Sequence, residues 1–158
     1  MVYFDEVTLR FDGSCKPNPG EGGSGYVIFD ANNDMPIIEG RYYVGKSCTS
    51  NVAEYFGLIA GLKHFKDSPY TAGHLNIEGD SELTINHMKG TYRVKSPRLK
   101  PLFRQATSLL KKCRTSFSFE HIDRRLNVRA DALANDARYE EQNWSQDLYD
   151  EGDENEYH

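Results

Sequence analysis

The period of the apolar residues changes once, near residue 50, and that change limits the folds open to this chain. Before it, apolar positions alternate. In VYFDEVTLRF (2–11), Val7, Leu9 and Phe11 take every second place, as in a strand with one buried face. GYVIFD (25–30) and IIEGRYYV (37–44) are rich in β-branched and aromatic residues, and ANNDMP between them has the composition of a turn. PGEGGSG (19–25) reads as a flexible turn; it lacks the Gly-Lys-Ser/Thr ending of a phosphate loop. Three strands with short connections predict an antiparallel meander.

After it, the spacing is helical. NVAEYFGLIAGLKHF carries apolar residues at 52, 55, 56, 59 and 62, one face of a helix. Asn51 is placed to cap that helix, with Glu54 three residues on. LNIEGD (75–80) reads as a strand, SELTINHMK as a helix, and TYRVKSP as a loop closed by Pro97. Residues 98–112 form a helix with Leu99, Leu102, Phe103, Ala106, Leu109 and Leu110 on one side. TSFSFEHI (115–122) is a strand, and NVRADALANDARYEE (127–141) a helix capped by Asn127. The order β-β-β-α-β-α-α-β-α predicts an α/β fold. Its five-stranded mixed sheet has three antiparallel strands followed by parallel βα units, with helices on both faces. A chain of 158 residues can bury one proper core. We assign residues 1–142 to a single domain and 143–158, acidic and without apolar period, to a disordered tail.

No apolar run reaches the roughly 18 residues of a membrane span. MVYFDEVTLR lacks a signal-peptide pattern, and Cys15, Cys48 and Cys113 have no metal-ligand spacing. Reduced thiols in a cytoplasmic setting are expected, with the cysteines acting as small buried apolar groups. The formal net charge of −5 hides an asymmetry. Residues 139–158 hold eight acids and no Lys or Arg, whereas 86–129 hold twelve Lys or Arg and only Glu120 and Asp123. Such a stretch is either an ordinary solvated face or a surface for a polyanion.

Four acids stand at the ends of elements: Asp12 near the turn after the first strand, Glu54 in the first turn of the first helix, Asp80 at a strand end, and Asp131 in the first turn of the last helix. Each has a structural use, as turn residue, capping-box partner, cap, or complement to a helix dipole. Parallel βα units, however, bring strand ends and helix starts to one edge of a sheet. Carboxylates gathered there repel one another and resist ionisation unless cations intervene. Oxygen-only ligation suits Mg²⁺ or Mn²⁺ and argues against zinc. Two such ions serve in-line phosphodiester chemistry.

The segments FDGSCKPNPGEGGSGYV, TSNVAEYFGLIAGL, IEGDSELTINHMKGTYRVKSPRL and HIDRRLNVRADALAN, in that order, resemble the type 1 ribonuclease H family. The likeness is to its compact subgroup of reverse-transcriptase-like and plant-type domains, without a hybrid-binding module. The resemblance implies an endonuclease that cuts the RNA strand of RNA/DNA hybrids, leaving 5′-phosphate and 3′-hydroxyl ends. It implies two Mg²⁺ ions, with Mn²⁺ a possible substitute, held by Asp12, Glu54, Asp80 and Asp131. Asp12 is expected to bridge both ions, Asp80 to serve the nucleophile side and Glu54 the leaving-group side. It places Cys15, Asn18, Ser50 and Asn51 against the hybrid, and Thr49 at a DNA-strand phosphate. For Asn18 and Asn51, turn and cap roles stand beside this one.

Three departures accompany the resemblance. Glu82 stands where relatives carry Gln. The basic protrusion of larger relatives is missing, leaving Tyr92, Arg93, Lys95, Arg98 and Lys100 to grip the hybrid. The auxiliary group near Asp131 is either His121, on a strand, or Arg124, in the following loop; Arg124 is the favoured choice. The alternatives are a hybrid-binding module that cuts weakly or not at all, another nuclease of the same superfamily, and an interaction protein whose acids are caps and turns. A monomer is the default expectation.

Overall fold

The computed structural model describes residues 1–149. One sheet has the order β5-β4-β1-β2-β3-β6. β1 is Val2–Lys16, β2 Gly20–Asp30 and β3 Met35–Cys48, an antiparallel meander as the alternation predicted. β4 (Tyr70–Gly79) lies parallel to β1, and β5 (Ser116–His121) parallel to β4. The helices are α1 (Ser50–Asp67), α2 (Glu82–Lys89), α3 (Lys100–Lys112) and α4 (Val128–Glu140), with a 3-10 turn at Arg124–Leu126. α1 and α4 pack across β1, β2 and β3, and α3 packs on α1. Leu9, Phe11, Ile28, Ile38, Leu75 and Ile77 of the sheet join Leu58 and Leu62 of α1 in the main core. The alternating residues of β1 are buried because that strand is central, between β2 and β4.

The sheet has six strands rather than five. β6 (Trp144–Asp147) pairs antiparallel with the outer edge of β3. All four of its residues are exposed, so no apolar alternation marks it in the sequence. Its contribution is backbone pairing for an otherwise open edge. Its anchors are a hydrogen bond from Tyr43 N to Asn143 Oδ1 (2.7 Å) and contact between His64 Nε2 and Asp147 Oδ1 (2.6 Å). The residues assigned to a tail thus begin with a strand. Tyr149 then packs edge-on against Phe4 and Tyr70. Residues 150–158 of that tail lie outside the described residues.

Strand ends run further than expected. β1 continues to Lys16, so Asp12 belongs to a strand and not to a turn; Gly20–Gly25 are likewise the start of β2. Glycines suit a strand here because two helices approach closely. A Cβ on Gly13 would strike Glu54 N and Ala53 C, and one on Gly25 would strike the carbonyl of Ala130. The cap of α1 is Thr49, whose Oγ1 accepts from Val52 N at 3.3 Å, and not Asn51. Glu54 therefore completes no capping box; it lies one turn inside the helix and is buried.

Candidate active site

Pair register does most of the assembly. Asp12 lies opposite Gly25 of β2, and Phe11 lies opposite Gly79 of β4. The parallel pairing of β1 and β4 therefore sets Asp12 and Asp80 side by side. The close approach of α1 at Gly13 delivers Glu54 to the same point. Carboxylate oxygens of Asp12, Glu54 and Asp80 lie within 4.8 Å of one another. α4, brought close by Gly25, carries the fourth acid, Asp131, which stands outside the three-carboxylate cluster and adds the smallest share to the rise of the Asp12 carboxyl.

These charges are poorly solvated. Burial first, then the charge of Asp80, pushes the Asp12 carboxyl up to about 8. Burial first, then Asp12, holds Glu54 well above the ordinary carboxylate range. Glu54 Oε2 is buried with no hydrogen-bond partner. A buried acceptor without a donor is costly, and a cation would satisfy it. The nearby cation is Arg124, whose Nε stands 3.5 Å from Asp80 Oδ2 on a side chain 89% exposed. Oxygen-only donors, mutual repulsion and an orphaned carboxylate oxygen fit a divalent metal site of the Mg²⁺ or Mn²⁺ type.

Asn127 was expected to cap α4. It occupies the cap position but makes no cap bond. Its Nδ2 donates to the carbonyl of Phe11 (2.8 Å) and lies 3.5 Å from Asp80 Oδ1. Fully buried, it ties the start of α4 to both acid-bearing strands. Asn before an apolar period reads as a cap, and no sequence signal separates that use from this one.

His121 and Arg124 both stand at Asp80, in different ways. His121 Nε2 is 3.1 Å from the main-chain carbonyl of Asp80, whereas Arg124 faces its carboxylate. The Cys15 thiol is turned inward and donates to the carbonyl of Cys48 at 2.7 Å, which steadies the chain entering Thr49. Asn18 Oδ1 accepts from Ser50 N (3.2 Å), joining the β1–β2 turn to the start of α1. Thr49 and Asn51 line one pocket with Arg93, Lys95, Ser96 and Arg98. The Tyr92 hydroxyl donates to Glu82 Oε1 at 3.1 Å, so these two form a unit apart from that pocket. All three cysteines are free thiols; Cys15 and Cys48 are buried and Cys113 is partly so.

Fold and acid cluster together define a ribonuclease H-like domain. The family model described as "Reverse transcriptase-like" matches residues 10–137, and the chain belongs to that family. The bifunctional protein Rv2228c of Mycobacterium tuberculosis is 37% identical over 132 residues, which are 84% of this chain and 35% of that protein. The ribonuclease HI of Halobacterium salinarum is 34% identical over 83% of this chain and 63% of its own length. The chain thus spans about a third to two thirds of these relatives. Among solved structures, the LC11 RNase H1 in complex with an RNA/DNA hybrid superimposes with a TM-score of 0.78 at 33% identity, covering 85% of this chain and 98% of that one. Among the described residues, no helix is long and apolar enough to cross a membrane.

Proposed function

We propose that the protein is an endonuclease that hydrolyses the RNA strand of RNA/DNA hybrids, leaving 5′-phosphate and 3′-hydroxyl ends. The observation that carries this reading is the convergence of Asp12, Glu54 and Asp80, with Glu54 Oε2 buried and unpartnered; Asp131 is added to them by resemblance. Resemblance to enzymes named ribonuclease HI supports the substrate, as does the likeness to a structure that contains a hybrid. Two divalent ions, when bound, would lower the pKa of a water and stabilise charge on the departing 3′ oxygen.

The chain's own residues divide the remaining work. Asp12, on the central strand β1 and within 4.8 Å of both Glu54 and Asp80, would be a principal ligand for the ions. Asp80 and Glu54 would hold the ions with it, Asp80 toward the attacking water and Glu54 toward the leaving group, and Asp131 of α4 would complete the set. Asn127 holds Asp80 in place. The Thr49 pocket, with Asn51, Arg93, Lys95 and Arg98, accepts a phosphate of the DNA strand. Asn18 and Ser50 offer polar groups to the 2′-hydroxyls that distinguish RNA from DNA. Cys15 supports that segment from behind. Tyr92 holds Glu82 as an acceptor toward the wide groove of the hybrid. Arg124 is the auxiliary group, since it faces a carboxylate of the site and is free to move.

The test is Mg²⁺-dependent cleavage of an end-labelled hybrid, with duplex DNA and duplex RNA as controls. Cleavage of the RNA strand of the hybrid alone is expected. A hybrid bound but never cut would mean a binding module; equal cutting of duplex DNA would mean another nuclease of this fold.

A further inference from the structure

Three pockets with shared lining residues lie in succession along α1 on the side that faces β3 and α3, and together they make a groove. It starts at the pocket of Thr49, Arg93 and Lys95, passes Lys46 and Arg98, and opens beside Tyr42, Lys63 and Trp144. Its three stretches share walls. Val52 and Arg98 line the first two, and Phe56 lines the second and third. From Thr49 to Lys63 the groove covers about 21 Å at the helical rise of about 1.5 Å per residue. Its far end is a cavity of about 580 Å³.

Aromatic rings, each with one face already covered by a neighbour, and cations outside ion pairs occur together along this path. The rings of Tyr42 and Phe56 are stacked, 5.5 Å apart and within 8° of parallel. Trp144 is 37% exposed, with the Arg41 guanidinium over its ring at 6.0 Å. The acids at the far end are engaged: Asp67 by Lys66 (2.8 Å), Glu140 by Arg41 (2.6 Å) and Asp147 by His64 (2.6 Å). Lys46, Lys63, Arg93 and Lys95 have no ion-pair partner among the described residues, although Lys63 stands near Asp67; Arg98 has none either, but one end of its guanidinium donates to the carbonyl of Ser47 at 2.6 Å. A cationic groove with aromatic steps is the arrangement that holds an unpaired strand, cations tracking phosphates and rings stacking bases.

We propose that this groove binds single-stranded nucleic acid continuing from the hybrid: an unpaired extension of the DNA strand whose phosphate occupies the Thr49 pocket. The inference rests on the hybrid reading for its point of entry. The length suits about four nucleotides, at the low end of single-strand site sizes. A hybrid flanked by single-stranded DNA would then be held better than a blunt one, with no change at the acid centre.

The experiment is fluorescence anisotropy on the full chain carrying Asp12→Asn, so that hybrids remain uncut in Mg²⁺. Probes are a blunt hybrid and hybrids with six-nucleotide overhangs of DNA, at the 3′ or 5′ end, or of RNA. One DNA overhang is expected to tighten binding about tenfold, the scale of one stacked base. On the same background, the pair Tyr42→Ala and Trp144→Ala should erase that gain and leave blunt-hybrid affinity within about twofold. Lys63→Glu, an exposed change, should reduce the gain without touching the core, and it decides the matter if the aromatic pair unfolds. Equal affinity for blunt and overhanging hybrids, a gain that survives these substitutions, or a gain from RNA overhangs alone overturns the inference. If wild type still cuts the blunt hybrid, the hybrid reading survives that result. If the blunt hybrid is neither bound nor cut, the hybrid reading itself fails and takes this inference with it.

Discussion

The acid centre hides its charge, and the stretch from residue 86 to 129 displays it. Asp12 and Glu54 are buried and lie within 4.8 Å of each other, where repulsion is strong and water is scarce. Arg93, Lys95 and Arg124 stand in solvent, where each acts almost independently and salt screens it. Loss of one member should therefore be all-or-none in the first region and graded in the second.

The largest expected effect tests the first half of that contrast. Asp12→Asn should reduce cleavage by at least ~10³-fold, as removal of one member of a cooperative site does. Hybrid affinity measured by anisotropy should stay within about threefold. Retained turnover of this variant in Mg²⁺ would remove the metal assignment. Next, Asn127→Ala should cost about 10–100-fold in rate, as for residues that orient metal ligands, and high Mg²⁺ should recover part of it. A loss that no Mg²⁺ concentration touches would make Asn127 purely structural.

Stability against pH gives a third contrast. Asp12 and Glu54 bind protons more tightly folded than unfolded, because burial disfavours their charged forms. Folding is therefore favoured below the ordinary carboxylate range, and the advantage is lost as pH rises toward about 8. In EDTA, Asp12→Asn should melt above wild type at pH 8, by at least the ~2–4 °C that one kcal/mol represents. The gap should close by about pH 4, and Mg²⁺ should narrow it at pH 8. A gap independent of pH would show that Asp12 does not carry the buried charge.

Smaller effects belong to the exposed region. Arg93→Ala and Lys95→Ala should each weaken hybrid binding severalfold and lower the salt slope by about one. A slope unchanged by both would place the DNA phosphates elsewhere. Smaller still, Arg124→Ala should slow cleavage severalfold with binding unchanged, while His121→Ala should not. The reverse ranking would move the auxiliary role to His121.

How far the sequence could be read follows from the same physics. The meander was legible because burial imposes a period of two on β1; α1 was legible as a helix, although its burial runs round the cylinder and takes in Ala53, Leu58 and Phe65 besides the face expected. The ends of β1 and β2 were not, since glycines that signal turns were there to admit helices. β6 left no trace because its contribution is backbone pairing. Thr49 rather than Asn51 caps α1, a choice that local composition does not decide. Asn127 looked like a cap, and only the placement of Phe11 and Asp80 beside it reveals its use.

The order of the elements from β1 to α4, the four acids as candidates and the uneven spread of charge could be read from the amino-acid sequence alone, because residue type and spacing are local properties. Proximity is not local. Side-by-side placement of Asp12 and Asp80 depends on a parallel register between strands some seventy residues apart in the chain. The raised pKa of Asp12, the stranded oxygen of Glu54 and the groove along α1 exist only once helices close on both faces of the sheet and exclude water.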